Sequence, residues 1–197
     1  MLIKLLPQAD RDLLLKLAKL LSISDNPLLW GGKKYEEITS DTDLNDISIQ
    51  ANEQENELLS DLEHSAGFGT PRNTPAHNAI RSFMRTLSPI EKQLIDRLKA
   101  FPINAMELPE NRAQAAKDVI RDLLSGNSTE RPEVPKIMLF ELILVAIRDG
   151  SISNIEQELL KEFQLHYQLE NFIFDDLLER AEALNNEVSK TIAIVLE

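Results

Sequence analysis

One run of the sequence limits the fold more than any other. From Ile137 to Ile147 the chain reads IMLFELILVAI, which is apolar except for Glu141. A helix built from this run is apolar on every face, and such a helix belongs in the middle of a bundle. The run is too short for the roughly 20 residues that a bilayer-spanning helix needs. It therefore predicts a buried central helix and no transmembrane segment.

Helical periodicity recurs along most of the chain and favours an all-α helical bundle. With 197 residues, two independent cores would both be small, so we expect a single helical domain over residues 1–197. Two parts elaborate it: an acidic loop insertion at 26–52 and a middle helical elaboration at 72–135. The tail NNEVSKTIAIVLE suits a strand by its branched residues and a helix by its flanks, and both stay open. The predicted helices cover residues 8–24, 52–68, 76–86, 89–100, 109–124, 136–148, 154–165 and 170–184.

The same pattern occurs twice. LLKLAKLLSISDN and LFELILVAIRDG are both apolar helices that end in an acid and a turn residue. Each precedes an acidic helix, ENELLSDLEHSAGF in the first case and EQELLKEFQLHYQL in the second. The repetition predicts two related helical hairpins, of which the first carries the insertion.

These residues resemble the tellurite-resistance TerB-like family. Its members are all-helical bundles of two related halves, in which an apolar helix ends in Ala-x-x-Asp-Gly and a Glu-rich helix follows. AIRDGSISNIEQELL, from Ala146 to Leu160, matches that motif, whereas Asn26 replaces the glycine in the first half. The resemblance covers residues 1–62 and 136–184. It implies a role in bacterial stress or tellurite response, suspected metal binding, and membership of membrane-proximal or phage-defence complexes, with no established enzymatic activity.

The charge is concentrated in one segment. The net charge is −12, and from Tyr35 to Pro71 there are ten acids and no Lys or Arg. Such a segment argues against nucleic acid as a direct partner, because binding to phosphates needs clustered Lys and Arg. A basic partner protein or a cation fits better. We expect Thr39–Ser48 to be mobile on the surface.

The candidate partner-binding residues are two aromatic side chains and three acids within the insertion. Trp30 either fills the core beneath its loop or serves as an exposed aromatic anchor, the residue type that dominates binding hot spots. The set is Trp30, Tyr35, Asp41, Asp43 and Asp46.

The candidate metal ligands are Asp25, Asp149 and Glu156, the acids that end or follow the two apolar helices. If the helix ends lie together, their oxygens suit a hard divalent cation. Asp149 and Glu156 also have structural interpretations. Asp149-Gly150 is a good turn, and Ser153 with Glu156 has the spacing of a capping box.

Nothing in the sequence has the pattern of a catalytic site. There is no cysteine, no nucleophile elbow and no glycine-rich phosphate loop. The N-terminal residues lack the uninterrupted apolar core of a signal peptide, which favours the cytoplasm. We therefore expect a non-enzymatic interaction subunit of a bacterial cytoplasmic stress-response or phage-defence complex. The alternative is a TerB-like protein that binds or senses a divalent cation.

Overall fold

The computed structural model describes residues 2–67, 87–127, 129, 131–148 and 150–196, with the side chains of all of these except residues 53–55 and 196. The helix predicted at 76–86 lies outside the described residues, as does Asp149.

The protein is an all-α bundle, as predicted. Seven α-helices and one two-stranded sheet make up most of the described ranges, with single 3₁₀ turns at Leu2–Leu5, Tyr35–Glu37 and Ile103–Ala105. None of the described helices has both the length and the apolar character needed to cross a membrane. The helices are α1 (Gln8–Ile23), α2 (Glu53–Ser65), α3 (Pro89–Leu98), α4 (Pro109–Leu124), α5 (Glu133–Ala146), α6 (Asn154–His166) and α7 (Asn171–Leu196).

Helix α5 occupies the middle of the bundle. It packs against α1, α6, α7 and the N-terminal 3₁₀ turn. Four of its apolar side chains, Met138, Leu139, Leu142 and Ile143, are at most 2% exposed. A helix that has no polar face is stable when other elements enclose it and keep its side chains from water. The predicted central position of this run is confirmed.

Glu141 is the charged residue within that apolar run, and it is buried. Its Oε1 accepts hydrogen bonds from the backbone amides of Leu2 and Ile3, the latter at 3.1 Å. The first amides of a helical turn have no partner within the turn, so a carboxylate is a suitable acceptor for them. The contact fixes the start of the chain against the central helix.

Helices α4 and α6 pack side by side and run in the same direction. Lys117 Nζ lies 2.7 Å from Glu158 Oε2, and Arg121 Nε lies 2.7 Å from Glu162 Oε1, so both pairs join residues 41 positions apart. A constant offset along the two helices requires a parallel pair. Helix α1 packs against α2 and α5 packs against α6, which are the two pairings that the predicted repeat needs. The repeat itself stays a prediction.

The insertion contains a short β-hairpin, which the sequence did not predict. Strand β1 (Leu28–Trp30) pairs antiparallel with β2 (Ile47–Ile49), and Leu28 lies opposite Ile49. The first and last residues of each strand are buried and the middle one is half-buried, because side chains alternate between the two faces of a strand. Residues 47–48 therefore belong to a strand packed on the bundle, which corrects the expectation of a surface loop over Thr39–Ser48.

The ambiguous tail is helical. Helix α7 continues from Asn171 through to Leu196, well past the end predicted at residue 184. The branched residues Val188, Ile192 and Val195 repeat at intervals of four and three, which is a helical spacing. That periodicity, rather than strand propensity, describes the tail.

Truncation of Leu142 tests the central position of α5. Leu142→Ala should lower the free energy of unfolding by about 2–4 kcal/mol, because the enclosed site cannot collapse around the cavity. The matched control is Leu165→Ala on α6, where the side chain is 71% exposed and the change should stay within about 0.5 kcal/mol. Urea denaturation measures both. Equal losses in the two variants would place α5 at the periphery.

Candidate functional site

The hairpin is attached to the bundle by its apolar face. Leu28, Trp30, Ile47 and Ile49 belong to the core, and β2 also packs against α3. At its base, the backbone amide of Leu28 donates to Glu107 Oε1 at 2.9 Å. The insertion is therefore a folded part of the bundle rather than a loose loop.

Trp30 has no exposed surface, so its ring does not reach the outside of this chain. Of its two interpretations, the one in which it fills the core beneath the insertion describes its position. Tyr35 is the exposed aromatic residue here, at 42%, and its ring meets the Trp30 ring edge-on with centroids 5.7 Å apart. Such edge contacts add to the apolar burial that holds the insertion in place.

The turn that follows β1 depends on glycine. Gly31 and Gly32 have φ values of +55° and +78°, a region that other residues enter at a cost. The amide of Gly31 donates to the carbonyl of Asp46 at 2.7 Å, and the amide of Trp30 donates to that of Lys33 at 2.8 Å. These bonds close the hairpin and set where the residues beyond it project.

Residues 35–46, which we call the acidic tip, join the two strands. Five exposed carboxylates lie on it, and some of them brace the backbone. Asp43 Oδ1 accepts from the amide of Asn45 at 2.9 Å, and Glu37 Oε2 accepts from the amide of Lys34 at 3.1 Å. Within the described ranges no Lys or Arg forms an ion pair with any of the five. The carboxylates belong to Glu36, Glu37, Asp41, Asp43 and Asp46.

Asp25, a predicted metal ligand, is exposed at the end of α1 beside a buried arginine. Arg112 donates from Nε to the carbonyl of Ser24 at 2.8 Å and from Nη2 to that of Ile23 at 3.3 Å. Burial lowers the pKa of Arg112, while the nearby carboxylates of Glu107 and Asp25 act in the opposite direction. The cation that the structure places near Asp25 is therefore a guanidinium.

Glu156, the second predicted ligand, takes part in a capping box at the start of α6. Its Oε2 accepts from the amide of Ser153 at 2.8 Å, and its own amide donates to Ser153 Oγ at 3.2 Å. The same arrangement begins α3, between Ser88 and Glu91. Both boxes follow from the Ser-x-x-Glu spacing.

Asp149, the third predicted ligand, lies outside the described residues. Among the residues that the structure does describe, no group of three His, Asp or Glu side chains is placed to hold a metal ion. The structure therefore does not assemble Asp25 and Glu156 with a further described ligand.

Arg112 is the important residue that the sequence interpretation missed. Its hydrogen bonds join the last turn of α1 to the first turn of α4, and its charge lies near that of Glu107, which accepts from the base of the hairpin. A signal was present: Arg112 precedes Ala116 and Val119 at helical spacing, so it lies on the apolar face of its helix. A charged residue in such a position is buried and needs partners.

A comparison with family models gave no match, and comparisons with curated proteins and with solved structures gave no significant match. The TerB-like resemblance therefore stays a prediction from the motif in residues 146–160.

Removal of the Arg112 guanidinium tests whether its hydrogen bonds hold the end of α1 against α4. Arg112→Met should lower the free energy of unfolding by about 2–4 kcal/mol, because the change leaves the carbonyls of Ser24 and Ile23 without their buried donor. Arg121→Met is the matched control. That side chain is 53% exposed and pairs with Glu162 on the surface, and such pairs contribute at most about 1 kcal/mol. If both variants unfold at the same urea concentration, Arg112 does not hold these elements together.

Proposed function

We propose that this protein is a non-enzymatic interaction subunit of a bacterial cytoplasmic stress-response or phage-defence complex, and that its acidic tip recognises a basic surface on a partner protein. The observation that carries the proposal is the attachment of the tip. Five exposed carboxylates project from a hairpin whose other face belongs to the core.

The arrangement has an electrostatic cost that a partner would relieve. Five like charges within twelve residues repel one another, and the chain as a whole has a net charge of −12. Lys33 and Lys34 precede the tip, and Lys33 Nζ donates to Thr39 Oγ1 at 3.4 Å rather than to one of the five carboxylates. A partner that presents Lys and Arg would neutralise the carboxylates and be steered toward them during the encounter.

Attachment to the core makes the tip a better binding surface than a free loop. A flexible segment loses conformational entropy when it is ordered on binding, which weakens the complex. Here β1, β2 and the two glycines already fix both ends of the tip. Exposed Tyr35, at the start of the tip, offers an apolar contact beside the charges.

The groups that the structure brings together support a binding role over catalysis. A shallow depression of about 360 Å³ lies between α3 and α4 and is lined by Gln93, Asp96, Arg97 and Asp122. Within it, Arg97 and Asp122 form an ion pair with each other. None of the residues that line the depression is a serine, threonine or histidine. The cellular setting that we propose rests on the TerB-like motif around Asp149-Gly150.

Charge removal at the tip tests the proposal. The binding partner in the experiment is the protein that co-purifies in stoichiometric amount with the tagged chain from its own cells. That partner is then purified separately. Replacement of Asp41, Asp43 and Asp46 by Asn should slow association roughly 3- to 10-fold at low salt, with little change in dissociation. The difference should shrink as ionic strength rises through about 0.15 M, where the Debye length is about 8 Å.

A charge-matched control separates the tip from net charge. Asp175→Asn, Asp176→Asn and Glu179→Gln remove three exposed acids from α7, away from the hairpin. This variant should associate at nearly the wild-type rate, and both triple variants should melt at the wild-type temperature. Equal association rates for the tip variant and the wild type at low salt would reduce the tip to a solubility feature.

A further inference from the structure

Helix α7 has an apolar stripe that is only partly covered. In its first half, Phe174 and Ala181 are buried against the bundle. In its second half the same face continues but is exposed to solvent. Leu184 is 48% exposed, Val188 48%, Ile192 51% and Val195 76%. At 100° per residue, these four side chains lie within about 40° of Val188 around the helix axis. They form a single narrow stripe, which we call the α7 stripe.

We propose that the α7 stripe binds the α7 stripe of a second copy of this chain, in an antiparallel pair with Val188 at the two-fold axis. A two-fold interface uses the same patch on both copies, so the patch must be complementary to itself. Leu184 and Ile192 lie four residues on either side of Val188. In the antiparallel pair each Leu184 therefore meets Ile192 of the other copy, and the two Val188 side chains meet each other.

The charges on this part of α7 favour a second copy. Residues 183–196 contain one acid and one base, Glu187 and Lys190, which pair with each other at 2.7 Å. The stripe is flanked by uncharged Asn185, Ser189 and Thr191. Two copies can approach here without the repulsion that their net charge of −12 imposes elsewhere. The antiparallel pair also brings Glu187 level with Ser189 of the other copy, one residue from its Lys190.

The same charges disfavour a lipid surface. Helices that lie in an anionic membrane interface have several Lys and Arg residues on their polar face. Lys190 is the one base in this part of α7, and the chain is strongly acidic. The remaining candidate to cover the α7 stripe is a protein helix with a matching apolar stripe. The two-fold complementarity about Val188 means that α7 of a second copy is such a helix.

The size of the stripe predicts a weak dimer. Four half-exposed aliphatic side chains present on the order of 300–400 Å² of apolar surface per copy, similar to the largest patch on a typical monomer. A stable interface buries about 800 Å² per partner. The pair should therefore dissociate in the micromolar range and depend on protein concentration.

Sedimentation equilibrium of the 197-residue chain, from about 1 to about 300 μM, tests the proposal. The wild type should move from monomer to dimer across this range, whereas Val188→Asp should stay monomeric with an unchanged melting temperature. The matched control is Ile194→Asp, because Ile194 is 75% exposed but lies about 120° from Val188 around the helix. This control should form the dimer as the wild type does.

Engineered cysteines determine the orientation, since the chain has no cysteine of its own. Val188→Cys should form a disulfide-linked dimer under mild oxidation. Leu184→Cys mixed with Ile192→Cys should cross-link far more efficiently than either variant alone, because only the antiparallel pair brings these positions together.

Three results would overturn the proposal. One is a wild type that stays monomeric at the highest concentration; if Val188→Asp then also melts earlier, another part of the same chain covers the stripe. Another is a Val188→Asp variant that still dimerises. The third is a monomer that binds phosphatidylcholine–phosphatidylglycerol vesicles through α7. None of these results bears on the association rates that test the acidic tip.

Discussion

The rest of the bundle depends on the enclosure of α5. A helix with an apolar surface on nearly every side is stable in water only if other elements cover it, and here α1, α6, α7 and the N-terminal turn do so. Because this enclosure also buries Glu141, its carboxylate needs hydrogen-bond donors within the protein; a buried carboxylate without them is costly. The amides of Leu2 and Ile3 supply those donors. The position of the N-terminal turn is thus set by a residue 139 positions beyond Leu2.

A second buried charge connects the core to the surface that we propose as the binding site. Arg112 holds the last carbonyls of α1, and Glu107 near it holds the amide that begins β1. The hairpin that bears the acidic tip is therefore attached to the bundle by hydrogen bonds and by the packing of Trp30. The five carboxylates of the acidic tip, which repel one another, lie at the outer end of the hairpin, where water and a partner can reach them.

Periodicity and cap spacing made several elements predictable from the sequence. The all-round apolarity of residues 137–147 predicted the position of α5, and the spacing Ser153-x-x-Glu156 predicted where α6 begins. The hairpin was not predictable, because its strands have three residues each and stand among polar residues. Their pairing depends on contacts with the core that local patterns do not contain.

The candidate sites were only partly accessible to the same reasoning. The acids at 36–46 were visible as a charge cluster, but their attachment to the core through Trp30 was one of two open interpretations. Asp25 and Glu156 were identified as acids near helix ends, yet their roles depend on Arg112 and Ser153. The burial of Arg112 depends on long-range packing, although its place on the apolar face of α4 gave a hint. The α7 stripe lay in a tail whose branched residues suited either a strand or a helix.

The account depends most on the acidic tip being fixed to the bundle, and amide hydrogen exchange of the free protein measured by NMR tests this directly. The amide of Gly31 donates to the carbonyl of Asp46 at 2.7 Å and that of Gln50 to Pro27 at 2.8 Å, at the two ends of the strand pair. Both amides should exchange at least about 100-fold more slowly than the amide of Ser40 in the tip. Such a contrast is the result that we predict. If Gly31 and Gln50 exchange as fast as Ser40, the hairpin opens freely, and the acidic tip is a tethered loop rather than a supported binding surface.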